Sequence, residues 1–180
     1  LTVQTGEVDE FYSFAGDPAG GYPVGELMPG PGGLYGLTAK VLGDSLGTVF
    51  RVTTGIEPNV ERVLGINESL GKPPTGLVSV GPYVYVATQT YGAHGYGTVF
   101  RFQPQDATPA STVQVVHSFN AWPYPEQDGG SPIGLALDSQ GDIMGTTAYG
   151  GEHSAGVVFR IADPAGAAPQ YAMVAHLRRS

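Results

Sequence analysis

The chain has 180 residues, enough for one domain with a sizeable core, and its 8 Lys and Arg against 16 Asp and Glu give a formal charge of −8. So few basic residues argue against nucleic acid or an anionic membrane as partner, since both require clustered Lys and Arg. The absence of cysteine excludes disulfides and thiolate metal sites, and no run of about 18 apolar residues is present to span a bilayer.

The opening stretch, LTVQTGEVDE, lacks a charged region followed by an apolar core and does not read as a signal peptide. With 28 glycines and 15 prolines but 41% hydrophobic residues, the chain reads as short strands joined by turns rather than as disorder. No segment keeps helical apolar spacing over a dozen positions without a Gly or Pro interruption.

Along the chain, three eighteen-residue windows align without a gap: LYGLTAKVLGDSLGTVFR from Leu34, VYVATQTYGAHGYGTVFR from Val84 and IMGTTAYGGEHSAGVVFR from Ile143. A threonine (Thr38, Thr88, Thr147) and then Gly, Val, Phe and Arg are identical in all three. The last four are Gly47, Val49, Phe50 and Arg51, then Gly97, Val99, Phe100 and Arg101, then Gly156, Val158, Phe159 and Arg160. PVGEL at Pro23, PTGL at Pro74 and PIGLAL at Pro132 precede the windows in phase, and EFYSF near Phe14 matches VVHSF near Phe119. The step between copies is 50 residues and then 59, the longer one accommodating NAWPYPEQDGG and PQDATPAST.

A unit of about 50 residues with four short apolar runs predicts a β-propeller blade. The expectation is an all-β, propeller-like array of about three four-stranded blades plus an extra C-terminal strand. Its units are 8–59, 60–112 and 113–170, within a single domain 1–180. GTVFR is expected to form the fourth strand of each unit, its adjacent Val and Phe packing on neighbours on both sides. YAMVAHL, residues 171–177, reads as a repeat of VQVVHSF with His176 in the column of His117, so 171–180 is expected to open a fourth unit. An open strand edge of that kind favours completion by another copy or by the rest of a longer chain.

The stretch GLALDSQGDIMGTTAYGGEHSAGVVFRI, residues 134–161, with HSF before it, resembles the GloVer tandem repeat: an HSF strand, an Asp-Gly turn, P..GL, G.LYGTT..GG and GTVF followed by Lys or Arg. The second unit departs from that pattern at VYVATQT and NESLGKPP. The resemblance implies a bacterial, often secreted or surface-anchored protein, and implies no catalytic residue.

Arg51, Arg101 and Arg160 are three of the chain's six arginines. A residue present once per unit is expected to be architectural, its guanidinium pinning turn carbonyls or a carboxylate; a ring of arginines binding an anion is the alternative. His94 and His153 share a column with Asp44 and could together hold a divalent metal. His117 and His176, aligned with Tyr12, are expected to be half-buried rings with hydrogen-bond partners. The turns at Asp17 and Asp128 invite calcium, but Asp-Gly turn chemistry explains them without an ion. The insertion NAWPYPEQ holds the only tryptophan, Trp122, with Tyr124, an aromatic pair suited to a sugar ring or a protein partner.

No nucleophile elbow, phosphate loop or close carboxylate pair is present. The expectation is therefore a non-enzymatic structural or interaction module without a cofactor, extracellular or on a cell surface. It would act by blade packing and strand completion, with itself or the remainder of a longer repeat chain as partner. The alternative is a carbohydrate-binding propeller using Trp122 and Tyr124.

Overall fold

Runs rich in Val, Tyr, Phe and Thr, punctuated by Gly and Pro, are what strands and tight turns require. The structure, a computed structural model, describes residues 12–14, 19–40, 46–53, 59–121 and 128–178. The described strands form three four-stranded antiparallel sheets, each a simple meander. Sheet one holds β1 (Gly21–Gly30), β2 (Gly33–Lys40), β3 (Thr48–Thr53) and β4 (Asn59–Gly65). Sheet two holds β5 (Lys72–Val80), β6 (Tyr83–Thr90), β7 (Thr98–Phe102) and β8 (Gln114–Ser118). Sheet three holds β9 (Gly130–Leu137), β10 (Ile143–Tyr149), β11 (Val157–Ala162) and β12 (Gln170–His176). A 3₁₀ turn at Pro109–Thr112 precedes β8. Among the described residues no helix is long and apolar enough to cross a membrane.

The sheets stack face to face in chain order, β1 and β2 against β5, then β5 and β6 against β9. Successive strand residues point to opposite faces, and sheet two uses both. Its Val84, Val86, Phe100 and Phe102 join Tyr35, Leu37 and Val49 of sheet one in one buried cluster. Its Tyr85, Ala87 and Val99 join Ile143, Phe159 and Ile161 of sheet three in another. At both internal interfaces the valine face of the earlier sheet thus meets the phenylalanine face of the later one, as the adjacent Val and Phe require. The array is all-β and propeller-like.

Three details differ from expectation. GTVFR lies on the third strand of each sheet, because the run after the arginine folds back and pairs with it. For the same reason Gln170–His176 does not open a fourth unit; it is the outer strand of sheet three, hydrogen-bonded to β11. And His176 does not share a column with His117. His117 pairs with Val99, whereas Ala175 pairs with the equivalent Val158 and His176 with Val157. One residue of offset sends a side chain to the opposite face, so His176 stands exposed where Ser118 stands in sheet two.

Each outer strand also carries a bulge at one place, between the pairings of the repeated Val and Phe. The residue left over is a valine every time: Val63, Val116 and Val174. Val63 packs on the first cluster and Val116 on the second, while Val174, with no sheet beyond it, is 54% exposed.

Candidate functional site

The repeated residues build a lock where the second and third strands of each sheet meet. Gly47, Gly97 and Gly156 have φ of +101°, +90° and +98°, and a Cβ on any of them would collide with the carbonyl of Thr38, Thr88 or Thr147. Those threonines are buried, and each hydroxyl accepts the backbone N–H that follows the glycine, at 3.1, 3.2 and 3.0 Å. In sheet two the hydroxyls of Thr88 and Thr98 both donate to the carbonyl of Leu70, at 2.6 and 2.7 Å. In sheet one Thr48 donates to the equivalent carbonyl of Ala19 at 2.7 Å. Buried backbone groups need such partners, which accounts for the threonine column without any chemistry.

The three arginines make different bonds from one column. Arg51 pairs with Glu61, its cross-strand neighbour on β4. Arg101 is 2% exposed and meets Gln114, its own cross-strand neighbour. It also donates to the carbonyls of Pro164, Gly166 and Ala167 in the turn after β11, at 3.1, 2.7 and 3.0 Å, so sheet three clasps sheet two. Its guanidinium lies 4.1 Å from the Tyr83 ring centre, and Tyr85, raised above its ordinary pKa by burial despite Arg101, donates to Pro164 at 2.6 Å. The neighbour of Arg160 is Ala172, which offers no acceptor, and Arg160 turns instead to Asp142, 2.7 Å from Nε. Its side chain is 46% exposed, on a face that no sheet covers.

His117 is half-buried, with Nε2 2.6 Å from Asp128 Oδ2. A carboxylate only accepts, so Nε2 carries a proton. The imidazole lies flat on Tyr171, with ring centres 3.6 Å apart and planes 2° apart. The other oxygen of Asp128 accepts the Asn120 N–H at 2.8 Å. Both carboxylate oxygens therefore have partners within the protein, and the residue ties the outer strands of sheets two and three together.

His94 and His153 are exposed, and among the described residues no group of three or more His, Asp or Glu converges as metal ligands. His176 accepts the Glu152 N–H at 2.9 Å. Asp17, Asp44, Trp122 and Tyr124 lie outside the described residues.

What remains uncovered is the pair of end faces. On the valine face of sheet three, Gly134, Ala136, Met144, Thr146 and Val158 surround a depression of about 320 Å³. On the phenylalanine face of sheet one, Gly36, Phe50, Val52 and Val60 line a depression of about 340 Å³ together with Tyr12 and Phe14. The sequence pointed to the insertion and to the last strand and passed over these faces. Their signal was the repeat itself, since the valine-face columns buried between sheets recur on sheet three with no described sheet over them, while at the other end Phe50, 3% exposed, lies under Phe14.

The profile of the Gloeobacter/Verrucomicrobia repeat matches residues 1–159. The chain belongs to the Gloeobacter/Verrucomicrobia repeat family. Its three sheets give that repeat a concrete form: a four-stranded meander with the GTVFR string on its third strand. No curated protein and no solved structure matches the chain.

Proposed function

We propose that this Gloeobacter/Verrucomicrobia repeat chain is a non-enzymatic interaction module of a secreted or surface-associated bacterial protein, and that it works by packing sheet on sheet. The observation carrying this reading is the identity between the end faces, which no described sheet covers, and the faces already buried inside the array. Val158 and Met144 occupy the columns of Val99 and Tyr85, which are fully buried between sheets two and three. Phe50 occupies the column of Phe100 and Phe159, also buried between sheets. Apolar columns of this kind at both ends are suited to cover by further sheets.

The test places Val158→Glu in the native polypeptide and in the isolated chain. In isolation Val158, partly buried on a face that no described sheet covers, should tolerate the charge with a small change in melting temperature. In the native polypeptide the same change should lower stability by ~2 kcal/mol or more, as burying an unpaired charge does. Equal behaviour in the two contexts would show that nothing packs on this face.

A further inference from the structure

We infer that the valine face of sheet three is the docking surface for the phenylalanine face of sheet one in a second copy, and that Tyr12 and Phe14 compete for the seat. This inference rests on the sheet-packing reading above and names its partner.

One contact recurs at both internal interfaces, two more join sheets two and three, and all three stand open at the end of sheet three. In the first, a proline of the following sheet sits against the repeat glycine of the preceding one: a Cβ on Gly47 would meet Pro74 at 3.0 Å, and one on Gly97 would meet Pro132 at 2.9 Å. Pro74 and Pro132 are buried, whereas their counterpart Pro23 is exposed, and among the described residues the atoms nearest a Cβ on Gly156 belong to Thr147 and Leu177. In the second, a Cβ on Gly76 would meet the backbone of Leu135 at 2.8 Å, so sheet two and sheet three touch without an intervening side chain there. Gly134 holds the same column in sheet three, and a Cβ on it meets nothing within 4 Å. In the third, the turn after β11 clasps Arg101, while Arg160 is held only by its own sheet. A second copy placed head to tail closes these positions with Pro23 on Gly156 and β1 against Gly134. Two copies bring six sheets together, within the range of four to eight in which blades close a ring.

The competitor is recognisable from its geometry. Phe119, just past β8, packs on Phe159 of the next sheet with ring centres 5.2 Å apart and planes at 59°, and His117 meets Phe119 edge-on at 4.8 Å. Phe14 packs on Phe50 at 4.9 Å and 59°, and Tyr12 meets Phe14 edge-on at 4.9 Å. Tyr12 and Phe14 therefore occupy the place of a preceding outer strand. In sheet three the residue equivalent to Phe119 is Leu177, since the Leu177 N–H donates to Gly156 O at 2.9 Å as Phe119 N–H donates to Gly97 O at 3.0 Å. Leu177 of one copy and Phe14 of the other thus claim the same place on Phe50.

Sedimentation of the intact chain over a concentration series tests this with Phe14→Ala, the milder Tyr12→Ala and Gly134→Val, each checked for folding by circular dichroism. Either aromatic substitution should move the midpoint of pairing to a concentration lower by about tenfold or more, and Gly134→Val added to it should restore the monomer. Variants that stay monomeric, or pairs indifferent to Gly134→Val, would overturn the inference. If the wild type already pairs, loses pairing with Gly134→Val and ignores both aromatic substitutions, the competition is wrong while packing through this face stands.

Discussion

The hydroxyl of Tyr171 donates a 2.7 Å hydrogen bond to the backbone carbonyl of Asp128. That carbonyl precedes Gly129 as those of Ala19 and Leu70 precede Gly20 and Gly71, and in sheets one and two the donors to it are threonine hydroxyls. Sheet three has Val157 where the others have Thr48 and Thr98, and Thr147 donates to Tyr149 instead. A tyrosine from the outer strand supplies the hydrogen bond that the missing hydroxyl would have made.

The substitution Tyr171→Phe should therefore cost about 1–2 kcal/mol, because it leaves a part-buried carbonyl without its donor. Restoring the threonine, Val157→Thr, should recover much of that loss in the Tyr171→Phe background and little in the wild type. A double-mutant cycle by urea denaturation checks the coupling; strictly additive effects would show that the two groups do not share this acceptor.

Burial, and secondarily the Asp128 charge, raise Tyr171 well above its ordinary pKa of 10.0. Burial raises Tyr85 in the same direction. A raised phenol favours the neutral form in the folded state, so its contribution is complete below the ordinary pKa and declines as pH climbs from there toward the raised value. Urea midpoints should hold up to about pH 9 and fall by about pH 11, with a shallower fall in Tyr171→Phe.

Among the glycines, Gly156→Ala should destabilise by ~2 kcal/mol or more, combining an unfavourable positive φ with a clash on the Thr147 carbonyl. Gly134→Ala, in open space on β9, should be neutral or slightly stabilising in the monomer. Thermal melts of the two variants side by side check the contrast.

The arginines should separate just as clearly. Arg101 makes six hydrogen bonds to neutral acceptors, and Arg101→Lys should lose ~3 kcal/mol because an ammonium cannot reproduce the planar fork. Arg160→Lys, at a half-exposed ion pair, should lose less than about 1 kcal/mol. Comparable losses at both positions, measured by denaturant unfolding, would mean that the clasp on Arg101 adds nothing.

The repeated Gly, Thr, Val and Phe columns were legible in the sequence because one local geometry, met three times, imposes one solution. The strand phase was not. A sequence repeat can be cut at any turn, and only hydrogen bonding between β3 and β4, β7 and β8, and β11 and β12 shows where each sheet ends. The bulged valines Val63, Val116 and Val174 were in plain view, but their meaning depends on a register that sequence does not carry.

The sequence by itself determined the number of units, the all-β class, the glycine and threonine positions of the lock and the family, because periodicity and turn chemistry are local properties. Tertiary structure alone decided what each repeated residue meets. One arginine column became an ion pair at Glu61, a buried clasp at Arg101 and a half-exposed pair at Asp142. The physical reason is that cross-strand neighbours and stacked sheets, not the residues beside it in the chain, supply an arginine's partners. The same stacking leaves the valine columns buried twice and open once, and so locates the candidate interface at the end of sheet three.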